Sequence, residues 1–439
     1  MSKAPLNGDT PPSAGLRILV TDTNRWPVAA RLVIAFRKEQ CEMAVLCPTP
    51  DHPVEKLRGV GPIYRYDGFE PIRSLRNAIE SFNPDLVVPC CDRGVEHLHQ
   101  LHALARSEGE EGLKLAELIE HSLGSPAGFE VVSSRMNLIE AAHAEGILVP
   151  KTASIESDAD LAKWAAEIEA PWVLKADGTW GGRGVTVVNN AGAAKRFIQQ
   201  FDRHASIANV FKRVLLNRDR DWVLFDWKHS QRPIIAQSLI EGRPANCAVV
   251  CWQGKLLAGV AVEVIEACGA TGPATIVQVV PGSEMLEAAE KLARRLGISG
   301  FFGLDFVIEN RTGLVHLIEM NPRCTPPSPL SFGDGRDLVQ ALCAQLTGKA
   351  LQAKRSTIQQ DVIAYFPLGV KSLESEGGIQ TASVYRDIPA DEPELVAALL
   401  HPKSRRSFIG RLLDRVHPKE TRDGRSVAFS VDREAISKR

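Results

Sequence analysis

The sequence predicts an α/β and α+β chain, with an open, largely parallel α/β unit at the N-terminus, then a mixed region, then a C-terminal extension. Three observations predict it. Strand-like and helix-like segments alternate over residues 15–125, the pattern of parallel strands joined by crossover helices. Gly178, Gly181, Gly182 and Gly184 lie between two β runs rather than ahead of a helix. Two apolar β runs spanning Gly300 to Arg323 are joined by one short turn.

The 439 residues predict two or three domains at about 150 residues each. A net charge of −1 gives nucleic acid or an anionic membrane no global attraction. No uncharged apolar run approaches the roughly 18 residues that suggest a membrane span. The leader MSKAPLNGDTPPSA (1–14) lacks an apolar core and reads as a flexible segment rather than a signal peptide, so a cytoplasmic location is expected. Nine cysteines without a CxxC pair fit reduced thiols better than a disulfide or zinc framework.

Taken in order, Leu16 to Val20 is a short strand, Ala29 to Glu39 a helix, Cys41 to Cys47 a second strand and Leu86 to Pro89 a later one. The loop TDTNRWPV after the first strand holds no glycine, so the dinucleotide fingerprint G-x-G-x-x-G is absent. His97, His99 and His102 fall on a helix at spacings that cannot place all three on one face, which argues against a shared metal. His121 to Glu130 is a turn-rich boundary. Ser133 to Glu145 reads as a capped helix, ILVPKTASI as a strand, Asp158 to Glu169 as a helix, and Pro171 to Ala176 as the strand entering the glycines, with VTVV leaving them.

A glycine-rich loop between strands can fold backbone N–H groups over phosphates, although the same glycines also suit a plain hairpin turn. It is not a Walker loop, because Lys175 lies on the entering strand, six residues before the Gly181-Gly182 pair. In the hairpin from Gly300, a three-residue loop Arg311-Thr312-Gly313 pairing Asn310 with Leu314 sets Asp305 opposite Glu319, with Asn321 two residues on along the same face. Opposed carboxylates destabilise a hairpin unless a cation lies between them. Mg²⁺ fits, since it needs one or two protein carboxylates and takes water and phosphate oxygens for the rest; a solvated edge hairpin is the alternative. Between these sites IIAQSLIEGRPANCAVV is expected to break at Glu241 to Pro244, leaving either an ordinary turn or a backbone edge that can pair with adenine.

In this order, Lys175 with DGTWGGRGV, then QSLIEG (Gln237 to Gly242), then Asp305 with EMNPR (Glu319 to Arg323), the chain resembles the ATP-grasp superfamily over residues 15–345. The resemblance implies a pre-ATP-grasp α/β domain at 15–125 and a two-lobed ATP-grasp fold at 126–350. Within that fold a flap lobe covers about 150–235 and a metal-site lobe about 236–350, with an extension at 351–439. It further implies that Arg135, Lys175, Gly181, Gly182 and Gly184 hold the triphosphate of ATP, that Gln237, Ser238, Ile240 and Glu241 line adenine and ribose, and that Asp305, Glu319 and Asn321 bind one or two Mg²⁺, or Mn²⁺. Arg323 would stabilise the transferred phosphoryl group or the acyl phosphate, with Lys175 sharing in the charge neutralisation. Where relatives place an acidic residue after the hinge glycine this chain has Pro244 and Ala245, so either Glu241 substitutes or the ribose is held weakly, and it has Arg135 where many have lysine.

The chemistry implied is ATP-dependent activation of a small carboxylate as an acyl phosphate for attack by an amine. A kinase-like phosphotransferase and a non-catalytic nucleotide-binding regulator are the alternatives. Biotin-dependent carboxylation is disfavoured, because no lysine lies between two methionines. Trp180 sits at the flap tip, while Glu263, Glu266, Cys268 and Gly269 to Pro273 receive no role. The tail from His401 is basic, and Phe408, Ile409, Leu412, Leu413 and Val416 share one helical face. That face suits docking on the chain's own body or a second copy better than a membrane or an acidic partner.

Overall fold

The computed structural model describes residues 15–176, 184–203, 234–269, 272–333, 335–351, 358–376, 383–401 and 427–428. Four short strands begin it: β1 (Arg17–Thr21), β2 (Glu42–Cys47), β3 (Ile63–Arg65) and β4 (Leu86–Pro89). They form an all-parallel sheet in the order β3-β2-β1-β4. Alternate residues feed two cores. Ile18, Val20, Met43 and Val45 pack with the helix Pro27–Lys38, whereas Leu19, Ala44, Leu46 and Val87 pack with residues of the helices Pro71–Phe82, Asp92–Ser107 and Glu110–Leu123. The chain therefore leaves β1 toward one face and β4 toward the other, and a crevice at such a switch point is where open α/β sheets bind ligands. Strand β3 escapes sequence reading because its three residues are half-exposed and too few to show a period.

A second sheet is antiparallel, in the order β5-β8-β6-β7: β5 (Thr152–Ile155), β6 (Trp172–Ala176), β7 (Val185–Val188) and β8 (Ile234–Ser238). Trp164, Trp172, Leu174, Ile234 and Ala236 fill its core beneath the helices Asp158–Glu167 and Ala191–Arg203. The helix expected from Ser133 begins two residues later, as Arg135–Ala144. Ser134 caps it by accepting the Asn137 N–H at 3.3 Å, and a separate short helix, Phe129–Ser133, precedes it.

The largest sheet runs β13-β12-β9-β10-β11-β14-β15, from β9 (Gly242–Trp252), β10 (Lys255–Ala267), β11 (Ala274–Val280), β12 (Gly300–Glu309), β13 (Val315–Asn321), β14 (Val362–Ala364) and β15 (Val384–Arg386), with β16 (Val427–Ala428) added on β10. One face packs on the helix Ser283–Leu296. The other packs on the helix Leu338–Thr347 and, through Phe36 against Phe301, on the helix Pro27–Lys38 that covers the N-terminal sheet. Beyond it, Arg37 reaches Glu392 at 3.1 Å and Arg31 pairs with Asp387, so the C-terminal segment is fastened to the first helix.

Two sequence expectations need correction here. The break after β8 falls at Leu239–Glu241, and Gly242, Arg243 and Pro244 already belong to β9, Gly242 lying opposite Glu309. The β12–β13 turn pairs Glu309 with Leu314, not Asn310 with Leu314, because Glu309 donates to Leu314 at 2.9 Å and accepts from Gly313 at 2.8 Å. Gly313 supplies the left-handed φ of 74°. A bulge then restores the expected register, since Phe306 faces Leu317, Asp305 faces Glu319, and Ile318 has no partner on β12.

The hairpin also ties down one end of the β5–β8 sheet, at two points. Leu317 donates to Leu148, just before β5, at 2.8 Å, and Asn310 donates to Glu241, just after β8, at 3.0 Å. Among the described residues no helix is long and apolar enough to cross a membrane. Gly181, Gly182, Trp180 and the apolar face around Phe408 lie outside the described residues.

Candidate active site

The β12–β13 hairpin presents Asp305, Glu319 and Asn321 on one face, and Asn321 Nδ2 donates to Asp305 Oδ2 at 2.9 Å. From the second sheet, buried Lys175 at the end of β6 donates its Nζ to the carbonyl of Ile318 at 3.0 Å. The bulge makes this contact available, because a carbonyl outside the ladder can take an acceptor role elsewhere. Arg135, the first residue of its helix, spans both sheets: Nη1 donates to the Ala176 carbonyl at 3.1 Å and Nη2 to Glu319 Oε1 at 2.8 Å. Arg323 donates Nη2 to Asn321 Oδ1 at 3.0 Å, Nη1 to the Cys324 carbonyl at 3.2 Å and Nε to Asp92 Oδ2 at 2.8 Å.

Charge is balanced within this cluster, three carboxylates (Asp92, Asp305, Glu319) against three cations (Lys175, Arg135, Arg323). Burial and the neighbouring Glu319 charge raise Asp305 to about 6. Burial also pulls Glu319 upward, but Arg135, Lys175 and Arg323 together outweigh it and hold its carboxyl below the usual range. Lys175 is pulled down by burial and, less, by Arg135, against the opposing pull of Glu319. Burial works against the Arg323 charge, but Asp92 outweighs it and keeps the guanidinium firmly protonated.

The donor set fits a small hard cation. Two opposed carboxylates raise one another's cost of ionisation, as Asp305 shows, and a divalent ion between them removes that cost. Asn321 Oδ1 accepts one hydrogen bond, which leaves it a lone pair for a third oxygen ligand. Mg²⁺ needs no more from protein when phosphate and water complete its shell.

The remaining expected residues are placed less uniformly. Gly184 has a left-handed φ of 72° and accepts the Ala176 N–H at 2.8 Å, closing the base of the glycine hairpin beside Lys175. The Gln237 side chain is buried and donates to Thr152 Oγ1 on β5 at 3.2 Å. Ser238 exchanges bonds with Lys151, donating its N–H at 2.9 Å and accepting through Oγ at 3.1 Å, so its backbone donor is already engaged. Ile240 is the hinge residue whose N–H and carbonyl bond no other described residue, and Glu241 is exposed beside it. Glu263 and Glu266 are not loop residues: both lie in β10. Glu263 pairs with Arg243 at 3.0 Å, and buried Glu266 accepts from Thr275 at 3.1 Å and from Ser372.

Three residues at the site were missed from sequence. Asn246 lies directly opposite Asp305 on β9, a polar residue in an apolar strand. Asp92 and Trp26 arrive from the ends of β4 and β1, and the Trp26 ring centre lies 5.2 Å from the Arg323 guanidinium. A lone Asn in a buried run was a readable signal, but contacts between residues 26, 92 and 323 were not. His97 stacks on Tyr66, whereas His99 and His102 share Phe129, one stacked and one edge-on, and His102 also bonds Glu120 at 2.7 Å. All nine cysteines are free thiols, with Cys90 and Cys91 buried.

Comparison with known proteins identifies the family and the fold. The profile of the family "Carbamoyl-phosphate synthase L chain, ATP binding domain" matches residues 131–353. The carbamoyl phosphate synthase large chain of Vibrio parahaemolyticus is 24% identical over 262 residues, covering 57% of this chain and 22% of that protein. The N-terminal section of the Aquifex aeolicus large chain is 25% identical over 281 residues, covering 59% and 46%. This chain thus spans less than half the length of either relative. Among solved structures, biotin carboxylase from Campylobacter jejuni superposes with a TM-score of 0.55 at 16% identity, covering 77% of this chain and 72% of that one. L-amino acid ligase from Bacillus licheniformis gives 0.52 at 15%, covering 79% and 77%. The profile match extends over half the chain and takes in Arg135, Lys175 and the carboxylate hairpin, so this protein belongs to the family of the carbamoyl-phosphate synthase L chain ATP-binding domain and carries the ATP-grasp fold.

Proposed function

We propose that the chain is an ATP- and Mg²⁺-dependent ligase that activates a small carboxylate as an acyl phosphate and passes the acyl group to an amine, releasing ADP and phosphate. The observation that carries this reading is the convergence of Lys175, from the β5–β8 sheet, and Arg135, from the start of its helix, on the Asp305, Glu319 and Asn321 hairpin of another sheet. In this reading Arg135, Lys175, Gly181, Gly182 and Gly184 hold the triphosphate, and the free backbone of Ile240, with Glu241 beside it, faces adenine and ribose. Gln237 and Ser238 shape that hinge from within the sheet. Asp305, Glu319 and Asn321 hold the cation, which when bound neutralises phosphate charge and orients the γ-phosphoryl group. The N-terminal sheet, about residues 15–125, forms the far wall of the site through Asp92 and Trp26.

A carboxylate oxygen attacks the γ-phosphorus and the bond to the β,γ-bridging oxygen breaks, giving ADP and a mixed anhydride. The amine nitrogen then attacks the acyl carbon, phosphate leaves with the C–O electron pair, and the nitrogen gives up a proton. No side-chain nucleophile is needed; the protein positions reactants and neutralises charge. The carboxylate stays unnamed, so the test reads its mass. Protein, Mg·ATP, hydroxylamine and a pool of amino acids and small carboxylates are analysed by mass spectrometry. A hydroxamate that requires Glu319 supports the acyl phosphate. ADP with a stable phosphorylated product and no hydroxamate overturns it in favour of phosphotransfer.

A further inference from the structure

The guanidinium of Arg323 is held from two parts of the chain. Three of its N–H groups are engaged, by Asp92, the Cys324 carbonyl and Asn321 Oδ1, at 2.8, 3.2 and 3.0 Å, and the Trp26 ring lies 5.2 Å away. Its side chain is 7% exposed and that of Asp92 15%. Both Asp92 and Trp26 are themselves fixed. Asp92 opens the helix after β4, while buried Asp22 at the end of β1 accepts the N–H of Asn24 at 2.9 Å and of Trp26 at 3.3 Å and pairs with His52 at 3.1 Å. A side chain reserved for a transient anion keeps its donors turned to the ligand, whereas most of these are occupied within the fold.

We infer that Asp92 and Trp26 are positioning residues: they fix Arg323, and Arg323 fixes the amide of Asn321 beside Asp305, so the N-terminal sheet sets the geometry of the cation-binding hairpin. This rests on the ATP-site reading above. An Asn amide has two nearly isosteric orientations, and its partners choose between them. Arginine can only donate, so it selects the Asn321 oxygen and turns Nδ2 to Asp305. Outer partners of this kind typically alter metal affinity about 10–100-fold. Sequence reading gave Arg323 to the phosphoryl group; the geometry gives it first to Asn321.

The test uses the full chain and two readouts. Arginine-selective ¹⁵N NMR follows the Nε–H that Arg323 gives Asp92, without any ligand. Electron paramagnetic resonance follows Mn²⁺ bound with a non-hydrolysable ATP analogue. Asp92→Asn should lose the protected Nε–H signal and bind Mn²⁺ about tenfold more weakly; Asp92→Glu and Trp26→Phe should lie between it and the parent. Arg37→Met, which breaks the Arg37–Glu392 pair away from the site, should change neither readout. A signal that survives in Asp92→Asn overturns the positioning role, and unchanged Mn²⁺ affinity despite its loss overturns the link to the hairpin. Should Asp92→Asn not fold, the Asp92→Glu and Trp26→Phe variants decide by the same criteria. A parent protein that shows the expected NMR change on mutation but binds no Mn²⁺–nucleotide overturns the ATP-site reading, and the link with it.

Discussion

Lys175 on β6 donates to the carbonyl of Ile318 at 3.0 Å, and Ile318 is the residue of β13 that the bulge leaves without a partner on β12. One extra residue thus does two things. It brings Asp305 and Glu319 face to face, and it turns a carbonyl toward the lysine of a different sheet.

Lys175→Met should therefore act on binding and stability together. Nucleotide affinity, read by calorimetry with ADP, is expected to fall at least about tenfold, and the orphaned Ile318 carbonyl should cost about 1–3 kcal/mol in urea unfolding. Unchanged ADP affinity would remove Lys175 from the nucleotide site.

Glu319→Gln keeps an acceptor for Arg135 but removes the charge opposite Asp305. Turnover of ATP should drop by more than about 100-fold, while the thermal midpoint stays within a few degrees. Turnover in the parent should vanish with EDTA and return with Mg²⁺ or Mn²⁺. Retained turnover in the variant would sink the cation assignment.

Arg135→Lys tests the span between the sheets. A lysine offers a point charge rather than a fork, so it cannot hold both the Ala176 carbonyl and Glu319 in the present geometry. Steady-state kinetics should show a higher KM for ATP than in the parent, and Arg135→Ala a larger rise still. Equal KM values in all three would exclude Arg135 from phosphate binding.

Gly242→Ala probes the first residue of β9. An added Cβ would lie 2.1 Å from the Ile308 carbonyl oxygen, in the next strand. Because backbone must shift, a loss of about 1–3 kcal/mol is expected by chemical denaturation.

His97 supplies a pH dependence remote from the site. Burial against Tyr66, and then the Arg93 charge, push it down to about 3 from an ordinary 6.5. Between those values the unfolded chain binds a proton that the folded chain refuses, so stability falls as pH drops through this window. His97→Phe should flatten the fall, as followed by denaturation at pH 7 and pH 5; an unchanged slope would show that other groups govern it.

What the sequence made legible follows from period and order. Strands β1, β2 and β4, the Lys175 strand and the carboxylate hairpin are apolar runs long enough to show their pattern, and Asp305 opposite Glu319 was reached from turn chemistry alone. That agreement hid two offsetting one-residue differences, a turn one residue longer and a bulge, neither of which leaves a mark in residue types. The hinge was displaced because Pro244 suggested a break, although β9 accommodates a proline where no ladder donor is needed. Asp92 and Trp26 were unreadable for a different reason: their role depends on three segments meeting across more than two hundred residues of chain.

The two backbone bonds that fasten the β5–β8 sheet to the hairpin, Leu148 to Leu317 and Glu241 to Asn310, have a mechanical consequence. A rigid body pinned at two points keeps one degree of freedom, rotation about the line through the pins. Here that line runs along the β12–β13 hairpin, from its turn at Asn310 to Leu317 in β13, and the Lys175–Ile318 bond is the third tie, which removes the remaining freedom.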